Sequence, residues 1–292
     1  MDSSEALKII VAEAVKGNLN FPTSAKVAFR VRETLDDPDC SIEEAVRLVK
    51  AEPLIASRVV AMANSIAYNS SGKEIADVRA AVMRLGFAPV RSAAAAVATR
   101  QMTGASTDPA SQQRATKLWE HTMHVAALAN VIARRVTKQD PEAAMFTGII
   151  HEVAGFYLLS RTGDFPALLD DELHEWLPND DSEIDGDDIA TGGGERDIGR
   201  LVLKALSVPA AIVQGMEELW AGYLTLPPVT LGDTLLLADQ LAPVRSPLRD
   251  ASSAMQDKFS AEIDMAIGEK TLVGILEESA EQMESLVAAL KI

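Results

Sequence analysis

The chain has 292 residues, 48% hydrophobic, 24% charged and only 4% aromatic, enough to bury a large core built mainly from Ala, Val, Leu, Ile and Met. Its net charge of −16 repels DNA, RNA and anionic membrane surfaces, whose binding depends largely on Lys and Arg, so nucleic acid and membrane are excluded as partners. The single cysteine, Cys40, can form no internal disulfide and supplies no zinc cluster.

Ala-rich, aromatic-poor interiors suit closely packed helices, and the pattern along the chain is helical throughout. The opening MDSSEALKIIVAEAV is acidic and amphipathic, unlike the basic-then-apolar order of a secretion signal. It predicts a helix capped at Ser3 or Ser4, with Leu7, Ile10, Val11 and Ala14 on one face and Gly17 as its stop. A second helix follows Pro22 with Val27, Val31 and Leu35 on one side. Ser41-Ile42-Glu43-Glu44 has the capping-box pattern and opens a third, and Pro53 starts a fourth through Met62. Beyond the polar turn at Asn69 to Lys73, Asp77 caps a helix carrying Val78, Val82 and Leu85, closed by Gly86. The Ala-rich run Val90 to Met102 predicts a helix packed at short distance.

A breaker-rich stretch, Thr103 to Ser111, divides the chain into a subdomain at 1–104 and a second at 105–292. The second unit opens with a long helix from about Gln112 to Val136, with His121, Val125, Leu128 and Ile132 on one face. Pro141 and Glu142 start an apolar helix leading to Ile149, Ile150 and His151. Asn179 to Glu195 is acidic and Gly-rich and reads as an exposed loop. Helices return at Arg196 to Ala205, Pro209 to Ala221, Thr230 to Leu241, Ser253 to Ile267 and Lys270 to Leu290. No strand alternation appears, and no run of about 18 uninterrupted apolar residues occurs. The expected fold class is all-α, and the expected location cytoplasmic.

Several short segments fall in a familiar order. Phe21-Pro22-Thr23, Asp36-Asp37-Pro38 and the capped Ser41-Ile42-Glu43-Glu44 resemble the start of an HDOD domain. Glu52-Pro53-Leu54 is similar to that family's Asp-Pro-Leu step, and Ala63-Asn64-Ser65 and Arg84-Leu85-Gly86 match its next two segments. Leu118-Trp119-Glu120-His121 and Gly148-Ile149-Ile150-His151-Glu152 resemble its Trp-x-x-His and Gly-Leu-Leu-His-Asp segments. The resemblance runs from about residue 21 to 221. It implies two closely packed helical subdomains, the second related to HD-type metal phosphohydrolases, including the HD-GYP enzymes that cleave cyclic di-GMP. It also implies a regulatory output module, commonly without a complete metal site.

An HD phosphohydrolase gathers two histidines and two carboxylates around a cation that activates water. Carried over by position, the relic ligands are His121, His151, Glu152 and Asp239, with Glu152 standing where the family has Asp. Each also reads as part of a buried polar cluster, with Asp239 pairing His151. The further histidines of binuclear HD-GYP sites are replaced by Glu217-Glu218, which remain candidate ligand contacts. His124 and His174 read as surface or boundary residues. Asp181 to Gly186 resembles the start of a calcium loop but has Gly192 where the bidentate Glu belongs, and Gly192-Gly193-Gly194 lacks the Lys of a phosphate loop. Asn64-Ser65 reads as a turn cap. Non-hydrolytic binding of a cyclic dinucleotide would need Arg and stacking groups, to which Arg84, Arg91 and Arg100 could contribute.

The expectation is therefore a non-catalytic signalling module with no cofactor and no bound metal. It would meet signalling proteins in trans, since no receiver domain precedes Phe21, with a homodimer as a further option. The alternative is a metal-dependent phosphohydrolase acting on a nucleotide or cyclic dinucleotide, with one divalent ion.

Overall fold

A computed structural model describes residues 2–16, 18–19, 21, 23–103, 108–169, 195–206, 208–248 and 267–290. Among these residues all regular structure is helical. The first elements are α1 (Ser3–Val15), α2 (Thr23–Leu35), α3 (Ile42–Ala51), α4 (Pro53–Ala63), α5 (Val78–Leu85) and α6 (Phe87–Thr103). Their boundaries follow local chemistry. The Asp2 carboxylate accepts from Glu5 N–H at 2.7 Å, so Asp2, one residue before the expected cap, starts α1. Ser41 Oγ accepts from Glu44 N–H at 3.1 Å, and Asp77 from Ala80 N–H at 3.0 Å. Gly86 takes φ +72°, a left-handed value that spares only glycine a steric penalty, and there the chain turns by 113° between α5 and α6.

The remaining elements are α7 (Pro109–Ile132), a π-helical turn (Ala133–Thr137), α8 (Pro141–Ile150), α9 (Val153–Ser160), a 3-10 turn (Pro166–Leu169), α10 (Glu195–Ala205), α11 (Ala210–Ala221), α12 (Leu231–Leu241) and α13 (Glu269–Leu290). α7 begins earlier than the sequence suggests, because Asp108 caps it through Ser111 N–H at 2.7 Å and Pro109 occupies the first helical position. Ser111 is buried and shares a 2.8 Å hydrogen bond with Thr162, so it belongs to the packed helix and not to the breaker-rich stretch. The expected helix at 253–267, the acidic loop and the 104–105 division lie almost wholly outside the described residues.

α7 is the central strut. It packs against α8, α12 and α13, and every residue from Val125 to Ala133 is buried. α8 lies close against it because Gly148 has no side chain: a Cβ there would stand 2.6 Å from Ala126 Cα. The Ala-rich α6, with Ala93 to Ala98 buried, lets α2, α8 and α9 approach in the same way. One core cluster runs from Leu7 and Ile10 in α1 to Ile275 in α13. Arg32, 1% exposed, ties α2 to the end of α10 by donating to Leu206 O at 2.6 Å, and its other nitrogen pairs with Asp36. The stretch Pro141–Ser160 is long and apolar enough to span a membrane, but it is 89% buried inside the protein.

Candidate functional site

The residues that the sequence nominates as relic ligands converge at the heart of the second half. α7 presents His121 and the end of α8 presents His151. The turn between α8 and α9 presents Glu152, and the last turns of α12 present Asp239. His121 Nδ1 lies 2.8 Å from Val244 O, and His151 Nδ1 lies 2.7 Å from Gly148 O. A carbonyl only accepts, so each Nδ1 carries the proton and donates. The two Nε2 atoms then face each other at 3.2 Å, with the rings tilted by 59°.

Asp239 Oδ1 is 3.3 Å from His121 Nε2, so it pairs with His121, where the sequence reading paired it with His151. Glu152 Oε1 lies 4.0 Å from His121 Nε2 and 3.9 Å from His151 Nε2, and it is buried with no hydrogen-bond partner among the described residues. The electrostatics separate the two imidazoles. Burial pushes His151 down to about 4. Burial also opposes charge on His121, but the Asp239 hydrogen bond and the Glu152 and Asp239 charges outweigh it and raise its pKa. Among the described residues, one atom each of His121, His151 and Asp239 lies within 4.8 Å of the others, a spacing that can hold a metal ion.

The other nominated residues are engaged elsewhere. Glu217 receives both Arg200 Nε and Nη2, at 2.7 and 2.8 Å, and Glu218 accepts from Gly232 N–H at 3.0 Å and from Gln214. His124 is half-buried, and burial lowers its pKa. Asn64 grips the loop before α5 at both ends of one residue, donating to Ile75 O at 2.6 Å and accepting from Ile75 N–H at 2.8 Å. The three arginines considered for a dinucleotide have protein partners. Arg84 donates to Ala63 O and Lys73 O, Arg91 pairs with Asp36, and Arg100 sits over the Trp119 ring. Cys40 is half-buried and forms no disulfide. His174, the calcium-like loop and the Gly triplet lie outside the described residues.

Sequence reasoning missed the segment after α12. Val244 supplies the carbonyl that fixes His121, and Leu248 packs so closely on Gly155 that a Cβ there would meet Leu248 Cδ1 at 2.2 Å. Ser246, between them, is 5% exposed. A backbone carbonyl leaves no trace in side-chain identity. Gly155, inside the apolar run Val153 to Leu159, was the one signal that something passes close by.

No curated protein matches the chain in sequence. Among solved structures, a presumed metal-dependent phosphohydrolase from Shewanella amazonensis SB2B superposes with a TM-score of 0.70 at 19% identity, covering 97% of this chain and 98% of its own. An HDOD domain protein of unknown function from Geobacter sulfurreducens gives 0.63 at 20% identity, covering 98% and 97%. A presumed signal transduction protein from Marinobacter aquaeolei VT8 gives 0.61 at 17%, covering all of this chain and 67% of its own. At these identities the likeness is one of fold. The family itself comes from residues 21–220, which match the model of the HDOD domain: the chain belongs to the HDOD domain family.

Proposed function

We propose that the chain is a non-catalytic, cytoplasmic signal-transduction module that works by binding other signalling proteins, with its HD-type cluster serving to hold helices together. The observation that carries this reading is burial. His121 is 1% exposed, His151 4% and Glu152 6%, and the Val244–Leu248 segment bears on both His121 and the helix that follows Glu152. Hydrolysis of a phosphate ester needs a cation with a coordination position open to substrate and water. These side chains instead face one another. Membership of the HDOD family and the fold shared with the Marinobacter protein support the same reading.

A second reading, a metal-dependent phosphohydrolase, is favoured by the convergence of His121, His151 and Asp239 and by the name of the Shewanella neighbour. Turnover assays separate the two. The purified protein is incubated with Mn2+, Fe2+ or Mg2+ and with nucleoside phosphates and cyclic dinucleotides, alongside affinity capture from native extract. The expected result is no turnover above the buffer blank together with specific co-purifying proteins. Turnover that His151→Ala abolishes would overturn the proposal.

A further inference from the structure

We infer that the trough between α2 and α3 receives an amphipathic helix of a partner protein, its apolar stripe flanked by Lys and Arg. The inference rests on the protein-binding reading above and names the surface and the chemistry of the partner. The trough has a volume of about 560 Å³ and lies on helices that carry none of the four cluster residues. α2 turns one face to the Ala-rich α6, while Val27, Val31, Leu48 and Ala51 form the apolar floor of the trough. Val31 is buried, but Val27 and Leu48 are only half-covered and Ala51 is exposed. The floor therefore lies open along one side. The charged residues that line it are Glu33, Asp37, Glu52 and Arg30, three carboxylates to one guanidinium.

Shape selects the form of the occupant. The lining of α2 from Val27 to Thr34 spans two helical turns, about 10 Å, and Asp37 lengthens it. Both walls are helices, which spend their backbone N–H and C=O groups internally. An extended peptide laid between them would bury its own backbone polar groups without partners. A helix satisfies its own and presents only side chains, the mode in which apolar grooves take amphipathic helices. A small ligand needs most of its surface enclosed, and a trough edged by exposed Arg30, Glu33, Asp37 and Ala51 does not enclose one. Charge selects the sign. The surplus of carboxylates at the rim and the net charge of −16 attract a basic segment and repel an acidic one. The same signs argue against a second copy docking through α13. Its exposed Val273 and Leu276 stand beside exposed Glu277, Glu281 and Glu284, which would meet the rim carboxylates.

The test is selection of a phage-displayed library of random peptides, each about 15 residues or roughly four helical turns, on the full chain with counter-selection on Leu48→Asp. Enriched peptides should be net basic, carry apolar residues at three- and four-residue spacing, and gain helical circular dichroism on binding. Their affinity by fluorescence anisotropy should fall at least about tenfold in Leu48→Asp and in Glu33→Lys combined with Glu52→Lys. Glu281→Lys combined with Glu284→Lys changes the net charge equally on α13 and should leave affinity within about twofold. Leu48 also packs on the core, so if Leu48→Asp fails to fold, the Glu33 and Glu52 pair carries the test. Enrichment of acidic or non-helical peptides, or of none, overturns the proposal, as does equal weakening by the two charge-reversed pairs. Self-association of the chain that Leu48→Asp abolishes overturns it in favour of a second copy. In each of these cases specific proteins captured from native extract leave the protein-binding reading standing. Phosphoester turnover overturns that reading instead, whatever the trough binds.

Discussion

Gly148→Ala probes the seam on which the cluster depends. The added methyl would stand 2.6 Å from Ala126 Cα, 3.0 Å from Ala126 N and 3.3 Å from Ala126 Cβ, where ordinary carbon contacts lie at about 3.5–4.0 Å. The two nearest atoms are backbone, so no rotamer can yield and α8 must move off α7 by about 1 Å. Overpacking of this kind costs about 1–3 kcal/mol, occasionally more. The gain in helix propensity from Gly to Ala returns about 1 kcal/mol. With immovable backbone on the far side the cost belongs at the upper end, for a net loss of about 2 kcal/mol. At roughly 2–4 °C per kcal/mol, Tm should fall by about 4–8 °C in a calorimetric or circular-dichroism melt. Gly163→Ala, with nothing within 4 Å of the new carbon, is the control and should stay within about 1 °C. Ala126→Gly should fail to restore Gly148→Ala, because Cα and N would still be in the way. Full rescue by Ala126→Gly, or a wild-type melt for Gly148→Ala alone, would refute the seam.

Four other outcomes follow from individual contacts. Asn64→Ala removes both hydrogen bonds to Ile75 and should cost about 1–3 kcal/mol in urea titrations with unchanged m-value. Asp233 is buried, which works to raise its pKa, but the hydrogen bonds from the Thr225 hydroxyl and the Thr225, Val229 and Thr230 N–H groups prevail and hold it below the ordinary carboxylate range. Its stabilisation is therefore complete above about pH 4 and is lost as pH falls through the lower folded value, so the gap in urea midpoint between wild type and Asp233→Asn should narrow in acid. Asp77→Ala, which removes the cap of α5, should lose about 0.5–2 kcal/mol, whereas Glu217→Gln should change the melting temperature little because its pair with Arg200 is partly exposed.

Helices and their starts were legible because they are written in local chemistry. Ser41, Pro53, Asp77 and Gly86 sit where one residue type solves one backbone problem. The cluster was legible in membership, since the resemblance to the HD-type family carries its ligand positions over to His121, His151, Glu152 and Asp239. Its wiring was not. Which carbonyl holds each Nδ1, and that Asp239 turns to His121, depends on how α7, α8 and α12 cross, and no spacing along the chain encodes that crossing. Asp36 shows the same limit from the other side. It stands out as part of Asp36-Asp37-Pro38, yet its task is to sit between Arg32 and Arg91; Arg32 is within reach one helical turn back, but nothing local assigns Arg91 to it. Glu217 and Glu218 show it a third time, adjacent in sequence but bound to Arg200 and to Gly232 N–H respectively.

The tether between Arg161 and Glu13 reaches past the edge of the recognised family region. α1 lies wholly before residue 21 and α13 wholly after residue 220, yet Leu7, Ile10 and Ile275 are sealed from solvent against residues inside that span. Each large side chain of this kind is worth about 1.5–3 kcal/mol when covered, comparable together to the whole net stability of a domain. A fragment trimmed to the family limits would bare those greasy faces and clump, so the unit that evolution names is smaller than the unit that melts as one.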